Sequence, residues 1–234
     1  MEYVVRVSGL TQCIADEIVL DNVNFQVDAG KLFILFGYSG SGKTTLISIL
    51  AGVQAYKSGT VEVCDRRDIG LVTQQYSLFT HLTVQENLQA IGMMKGMSPQ
   101  ELNHRVPSVV EALQLENALR HRAGRLPWGA QQRLALACAI LNNPRLLLVD
   151  DILSRGDPES TEVIVRSTRA HVAQGNTCIW ATGRLPEVFD LAASDHVEIG
   201  LLVKGNLTVH QPQEFAALMQ DRTPQHLKRN GDTV

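Results

Sequence analysis

The stretch Leu32-Phe33-Ile34-Leu35-Phe36-Gly37-Tyr38-Ser39-Gly40-Ser41-Gly42-Lys43-Thr44-Thr45 decides how the rest of the chain is read. Leu32 to Phe36 is a short apolar run of the kind that forms a buried strand. It passes at once into G-x-x-x-x-G-K-T, the Walker A pattern. Glycines there let the backbone turn tightly, so that successive N–H groups converge on phosphate oxygens at the positive end of the helix that follows. Gly37, Tyr38, Ser39, Gly40, Ser41, Gly42, Lys43, Thr44 and Thr45 are therefore the candidate ligands of a nucleotide's phosphates. Lys43 neutralises the outer phosphates and the Thr44 hydroxyl holds Mg²⁺. Leu46, Ile49 and Leu50 recur at helical spacing after the loop, and Gly52 marks the stop.

Working outward, apolar and β-branched runs predict strands at Tyr3 to Val7, Val19 to Val27, Thr60 to Cys64, Ile69 to Thr73, Leu146 to Val149, Thr177 to Ala181, His196 to Val203 and Leu207 to Val209. From about Leu82 to Asn142 the pattern is helical throughout. Strands at both ends with helices between them imply an α/β core carrying an inserted helical subdomain. Thr83 with Glu86, and Ser98 with Glu101, fit the capping box, the second with Pro99 at the first helical position. Pro107 predicts a kink or a restart of that second helix. The stretch 221–234 has little apolar content and reads as a flexible tail.

Composition narrows the setting. The chain has 234 residues, with 21 Lys+Arg against 24 Asp+Glu, a net charge of −3 that gives no electrostatic case for nucleic-acid binding. Charged residues are 19%, below the roughly 25% usual for soluble domains; surface covered by a partner would account for the deficit. No apolar run approaches the roughly 20 residues of a membrane span, and the N-terminus lacks a secretory pattern, so the expectation is cytoplasmic residence. Cys13, Cys64, Cys138 and Cys178 lack zinc spacing and read as reduced, mostly buried thiols. His81, His104, His121, His171, His196, His210 and His226 show no metal spacing either.

Downstream motifs resemble those of the ATP-binding subunits of ABC transporters, over about Tyr3 to Phe215. Val72 to Phe79, with His81 to Val84 and Glu86-Asn87-Leu88 after it, is similar to that family's Q-loop and the start of its helical subdomain. Leu126-Pro127-Trp128-Gly129-Ala130-Gln131-Gln132-Arg133 stands in the place of the signature motif. Pro144 to Asp151 is similar to the Walker B strand, Ser154-Arg155-Gly156-Asp157 to the D-loop, and Thr177 to Thr182 to the strand before the switch histidine. The resemblance implies an α/β P-loop NTPase of ABC-transporter type, with a mixed-sheet core, a domain over 1–220 and its helical subdomain over about 76–138. It implies ATP and Mg²⁺ as ligands, with Thr44, Gln74 and Asp150 at the metal, and Asp151 and Gln74 acting on the attacking water. It also implies a transmembrane permease subunit as partner, docked near Gln74 to Met97, a homodimer or heterodimer of nucleotide subunits, and a place on the inner face of the cell membrane.

Four departures from the family's pattern bear on activity. Ile14 stands where an aromatic ring stacks on adenine. Leu126-Pro127-Trp128-Gly129-Ala130 replaces Leu-Ser-Gly-Gly-Gln, removing a serine hydroxyl and a backbone donor and placing an indole where a hydrogen allowed close approach. Asp151 replaces a glutamate and is one methylene shorter; a misplacement on the order of 1 Å can cost about 10²-fold in rate. Gly183 stands where the switch histidine belongs. The sequence thus implies ATP binding with weakened hydrolysis. A non-catalytic ATP-binding regulatory or structural subunit of a transporter, or a soluble non-transport ATPase of this type, are the other readings.

Overall fold

The computed structural model describes residues 2–73, 78–153, 157–193 and 196–222. The chain opens with β1 (Tyr3–Ile14), β2 (Glu17–Asp28) and β3 (Leu32–Phe36), then α1 (Lys43–Leu50), β4 (Ser58–Val63) and β5 (Ile69–Val72). The helical arm follows as α2 (Val84–Met94), α3 (Pro99–Ala112) and α4 (Trp128–Ile140). The chain then returns through β6 (Leu146–Asp150), α5 (Pro158–Ala173), β7 (Thr177–Thr182), α6 (Leu185–Ala192), β8 (Val197–Val203), β9 (Asn206–His210) and α7 (Pro212–Arg222).

Two sheets result. A three-stranded antiparallel sheet has the order β2-β1-β4, and a six-stranded sheet has the order β5-β6-β7-β3-β8-β9. In the larger sheet β5 to β8 run parallel and β9 alone is antiparallel. Its central strands are buried on both faces, which is why Leu32–Phe36 and Leu146–Asp150 read as unbroken apolar runs. Their side chains alternate between two cores. Phe33, Leu35, Leu146, Leu148 and Ile179 pack with α1 and the small sheet. Leu32, Ile34, Phe36, Leu147, Val149, Cys178 and Trp180 pack with the arm and the later helices.

Three expectations change. β1 runs on to Ile14 where the sequence placed its end at Val7, because Gly9 (φ 61°) absorbs a register shift between Val7 and Leu10 and acts as a bulge rather than a turn. Pro107 neither ends nor restarts α3, which continues to Ala112. Pro107 and Asn103, whose carbonyl loses its donor, both lie on the exposed side, where water can serve in its place. Both capping boxes of the arm form as expected, Thr83 with Glu86 and Ser98 with Glu101. Of the four free thiols only Cys138 and Cys178 are buried, and burial pushes Cys138 up to about 12; Cys13 and Cys64 are half-buried.

Candidate nucleotide site

Parallel pairing aligns the ends of β3, β7 and β6: Phe36 lies beside Thr182, and Asp150 beside Ala181. Everything that leaves these strands therefore emerges on one edge, the usual place for a ligand in an open parallel sheet. Two backbone bonds tie the emerging segments together. Gly37 N–H donates to the Thr182 carbonyl at 3.3 Å, and Asp151 N–H donates to the Ala181 carbonyl at 3.0 Å.

The loop after β3 closes on itself, with Ser41 N–H donating to the Tyr38 carbonyl at 3.1 Å. Gly42 (φ 103°) caps α1 in a left-handed conformation, and a β-carbon there would lie 2.9 Å from the Val19 carbonyl. At Gly37 a β-carbon would lie 2.6 Å from the Leu202 carbonyl. Both glycines are needed for close approach. Lys43 is buried, and its Nζ donates to the carbonyls of Gly37 at 2.6 Å and Tyr38 at 3.1 Å. Burial holds its ammonium below the ordinary lysine range, while the charges of Asp151 and Asp150 pull the other way. Ser41 and Thr45 are buried, with no hydrogen-bond partner for the Ser41 hydroxyl among the described residues; Ser39 and Gly40 are open to solvent, and Tyr38 is 69% exposed.

Asp150 sits at the end of β6, buried, and its carboxyl is raised by that burial and by Asp151, while a hydrogen bond from Thr44 and the charge of Lys43 lower it. Its Oδ1 is buried without a partner among the described residues. A carboxylate oxygen with an open lone pair, beside an exposed hydroxyl at the mouth of a phosphate loop, is a donor set that suits Mg²⁺: hard oxygens, few protein ligands, the rest left to water and phosphate. Asp151 follows with φ 49°, half-buried; burial raises its carboxyl, and Lys43 and Arg184 lower it. Gln74 lies outside the described residues, as do Ser154, Arg155 and Gly156.

Gly183 falls inside the same cradle. A β-carbon there would stand 3.4 Å from the Gly37 carbonyl and 3.9 Å from Lys43 Nζ, ordinary contact distances, so a side chain at this position starts beside the loop without a clash at its first carbon. Two neighbours carried no weight in the sequence reading. Glu187, buried on α6, accepts hydrogen bonds from Trp180 Nε1 and Thr182 Oγ1, both at 2.8 Å, and burial raises its carboxyl. Arg184 N–H donates to Thr182 Oγ1 at 3.0 Å and its Nη1 to the Leu153 carbonyl at 2.9 Å. The only hint of this network was a charged residue on each side of Leu185-Pro186, a helix start.

The other departures are also visible. Ile14 is 48% exposed at the end of β1. Pro127 stands at the N-cap of α4 without a side-chain cap, and Trp128 follows, 40% exposed. Gly129 lets the start of α4 pack against the start of α5, where an added β-carbon would collide with Asp157 and Ser160. Gln132, buried in α4, donates from Nε2 to the Ile152 carbonyl just after β6, tying arm to site.

Among the described residues no helix is long and apolar enough to cross a membrane, and no group of three or more His, Cys, Asp and Glu could hold a metal ion. Residues 20–154 match the family model described as ABC transporter. The chain is 32% identical over 83% of its length to the spermidine/putrescine import ATP-binding protein PotA of Thermotoga maritima, covering 55% of that protein. It is 32% identical over 78% of its length to the Nod factor export ATP-binding protein I of Rhizobium sp. strain N33, covering 64% of it. The chain thus spans between about half and two thirds of these curated relatives. Among solved structures, an ATP-binding subunit of an ABC transporter superposes with a TM-score of 0.82 at 22% identity, over 96% of this chain and 97% of that one. The dimeric ATP-binding cassette MJ0796 bound to ADP and Pi superposes with a TM-score of 0.76 at 27% identity, over 88% of this chain and 98% of that one. With the family model covering the larger part of the sequence and the phosphate loop, Asp150 and Gly183 gathered at one sheet edge in the family's fold, the chain belongs to the ABC transporter family.

Proposed function

We propose that this chain is the ATP-binding subunit of an ABC-type membrane transporter, which binds MgATP and acts through a separate membrane subunit, with hydrolysis weakened. The observation that carries this reading is the convergence of Lys43, the Thr44–Asp150 pair, Asp151 and Gly183 on the aligned ends of three parallel strands. In it the loop N–H groups and Lys43 hold the phosphates, Thr44 and Asp150 hold Mg²⁺, and Asp151 with Gln74 orients the attacking water. Mg²⁺ supplies charge neutralisation to the leaving phosphates. Gly183 offers no side-chain donor to the transferred phosphate, and Asp151 is short for its task, so the site retains binding and loses part of its transition-state stabilisation.

A groove of about 580 Å³ between β5 and the arm, lined by Leu71, Val72, Leu78, Phe79, Ile91 and Met94 among others, supports docking of a membrane subunit there. The dimeric form of the related cassette supports pairing of two nucleotide subunits, where the Pro127 and Trp128 face meets the partner's phosphate loop. Together with Gly183 that face also favours a second reading, a non-catalytic ATP-binding subunit beside an active one. The test is a melting experiment: MgATP is expected to raise the melting temperature of the wild type, and Lys43→Ala to abolish the shift. An unchanged shift in that variant overturns the site. Rapid phosphate release by the purified wild type, sensitive to Lys43→Ala, overturns the weakened hydrolysis.

A further inference from the structure

A second cleft, of about 290 Å³, opens where the arm meets the core, well separated in sequence from the phosphate loop. One face of α3 contributes Arg105, Ser108, Val109 and Ala112, at the i, i+3, i+4, i+7 spacing of a single helical stripe. One face of α5 contributes Arg166, Ser167, Ala170 and His171. Ile140 and Asn143 close the end. The lining carries two guanidinium groups and no carboxylate, in a chain whose net charge is negative.

The donors in this cleft are left over after the fold has used what it needs. Arg105 gives Nε to the Leu141 carbonyl at 3.1 Å and Nη2 to the Ile140 carbonyl at 3.5 Å, which satisfies the last turn of α4 and offsets its negative end. Its Nη1 is left over. Arg166 is exposed and makes no hydrogen bond or ion pair among the described residues. His171 is 4% exposed, and its Nδ1 lies 3.4 Å from the amide nitrogen of Asn176. That amide nitrogen also lies 3.0 Å from Asn143 Oδ1 and 3.3 Å from the His171 carbonyl, and the Pro144 carbonyl faces the ring, so the buried imidazole is engaged with the core and backs the cleft, leaving the two guanidinium groups as its charged lining.

We infer that this cleft is a binding site for a phosphate group, inorganic or carried by a small phosphate monoester, held by Arg105 from the arm and by Arg166 from the core. Two guanidinium groups arriving from two helices, with no carboxylate beside them, suit a doubly charged oxyanion, and guanidinium forks favour phosphate oxygens. A ligand so held bridges α3 to α5 and restrains the arm against the core. The site is independent of MgATP binding, and this separates it from the phosphate loop in experiment.

The test uses the full chain carrying Lys43→Ala, so that the phosphate loop does not contribute, and follows ³¹P NMR line broadening and calorimetry with inorganic phosphate and with glycerol 3-phosphate. Saturable binding of at least one probe at millimolar concentration is expected, with the better probe showing which source the cleft prefers. Adding Arg166→Gln, a change at an exposed side chain with no partner to lose, is expected to weaken that binding by about tenfold or more. Arg105→Lys is expected to do the same by removing the fork. Absence of saturable binding by both probes, or binding that Arg166→Gln leaves unchanged, overturns the site. Either result leaves the MgATP shift of the protein with Lys43 intact as a separate measurement of the nucleotide site.

Discussion

Gly183 is the residue on which the proposed weakening of hydrolysis turns. A β-carbon at this position meets only ordinary contacts, 3.4 Å from the Gly37 carbonyl and 3.9 Å from Lys43 Nζ, so the backbone itself does not demand glycine. Gly183→His combined with Asp151→Glu is therefore expected to raise phosphate release by about 10²-fold or more when the partner subunit supplies an intact signature face, measured as steady-state turnover. No gain would mean that the signature, and not these two positions, limits the rate. His171 makes a different prediction. Burial, with Arg105 adding to it, lowers its pKa from 6.5 to about 4, so the folded state disfavours the imidazolium. Its contribution to stability is then complete above pH 6.5 and is lost as the pH falls from 6.5 toward 4, on the order of 3 kcal/mol. Asp150, Asp151 and Glu187, whose carboxyls are raised, act in the opposite sense and are common to wild type and variant. In phosphate-free buffer His171→Leu is expected to flatten the acid side of the urea midpoint against pH; an unchanged slope would show that His171 is not the titrating group.

At the scale of elements, the close contact between the starts of α4 and α5 fixes how the first turn of α4 sits against the core. Asp157 caps α5 by accepting from Ser160 N–H at 2.8 Å, and Gly129 leaves room for that cap. Gly129→Ala forces the cap aside and is expected to destabilise the chain by about 1–2 kcal/mol, read from the urea midpoint with the slope unchanged. The central strands and the arm helices were legible because their signals are local: unbroken apolar runs, two capping boxes, one phosphate loop. What escaped the sequence depends on context. Whether Gly9 turns or bulges is settled by the strands on either side of it. Whether Pro107 breaks α3 is settled by which side faces solvent. The same holds in the site. Lys43, Thr44 and Asp150 announce themselves by spacing, whereas Arg184 and Glu187 matter only because β7 delivers Thr182 to the same edge.

For the whole molecule, the relation between the two cores has a consequence for how the protein comes apart. Each central strand gives alternate side chains to opposite sides, so that Phe33 and Leu35 belong to one core while Ile34 and Phe36 belong to the other. Neither core can be lost while the strand between them stays in register, because the backbone bonds that align β3 with β7 and β8 serve both. Trp180, fully buried on the side of the arm, and the residues around α1 should therefore report the same event. Indole fluorescence and amide exchange across α1 are expected to lose structure at one denaturant midpoint, with a separate earlier step for either core as the contrary outcome. The sheet thus acts as a shared wall, and a cavity cut on either side of it lowers the stability of the edge that carries the phosphate loop.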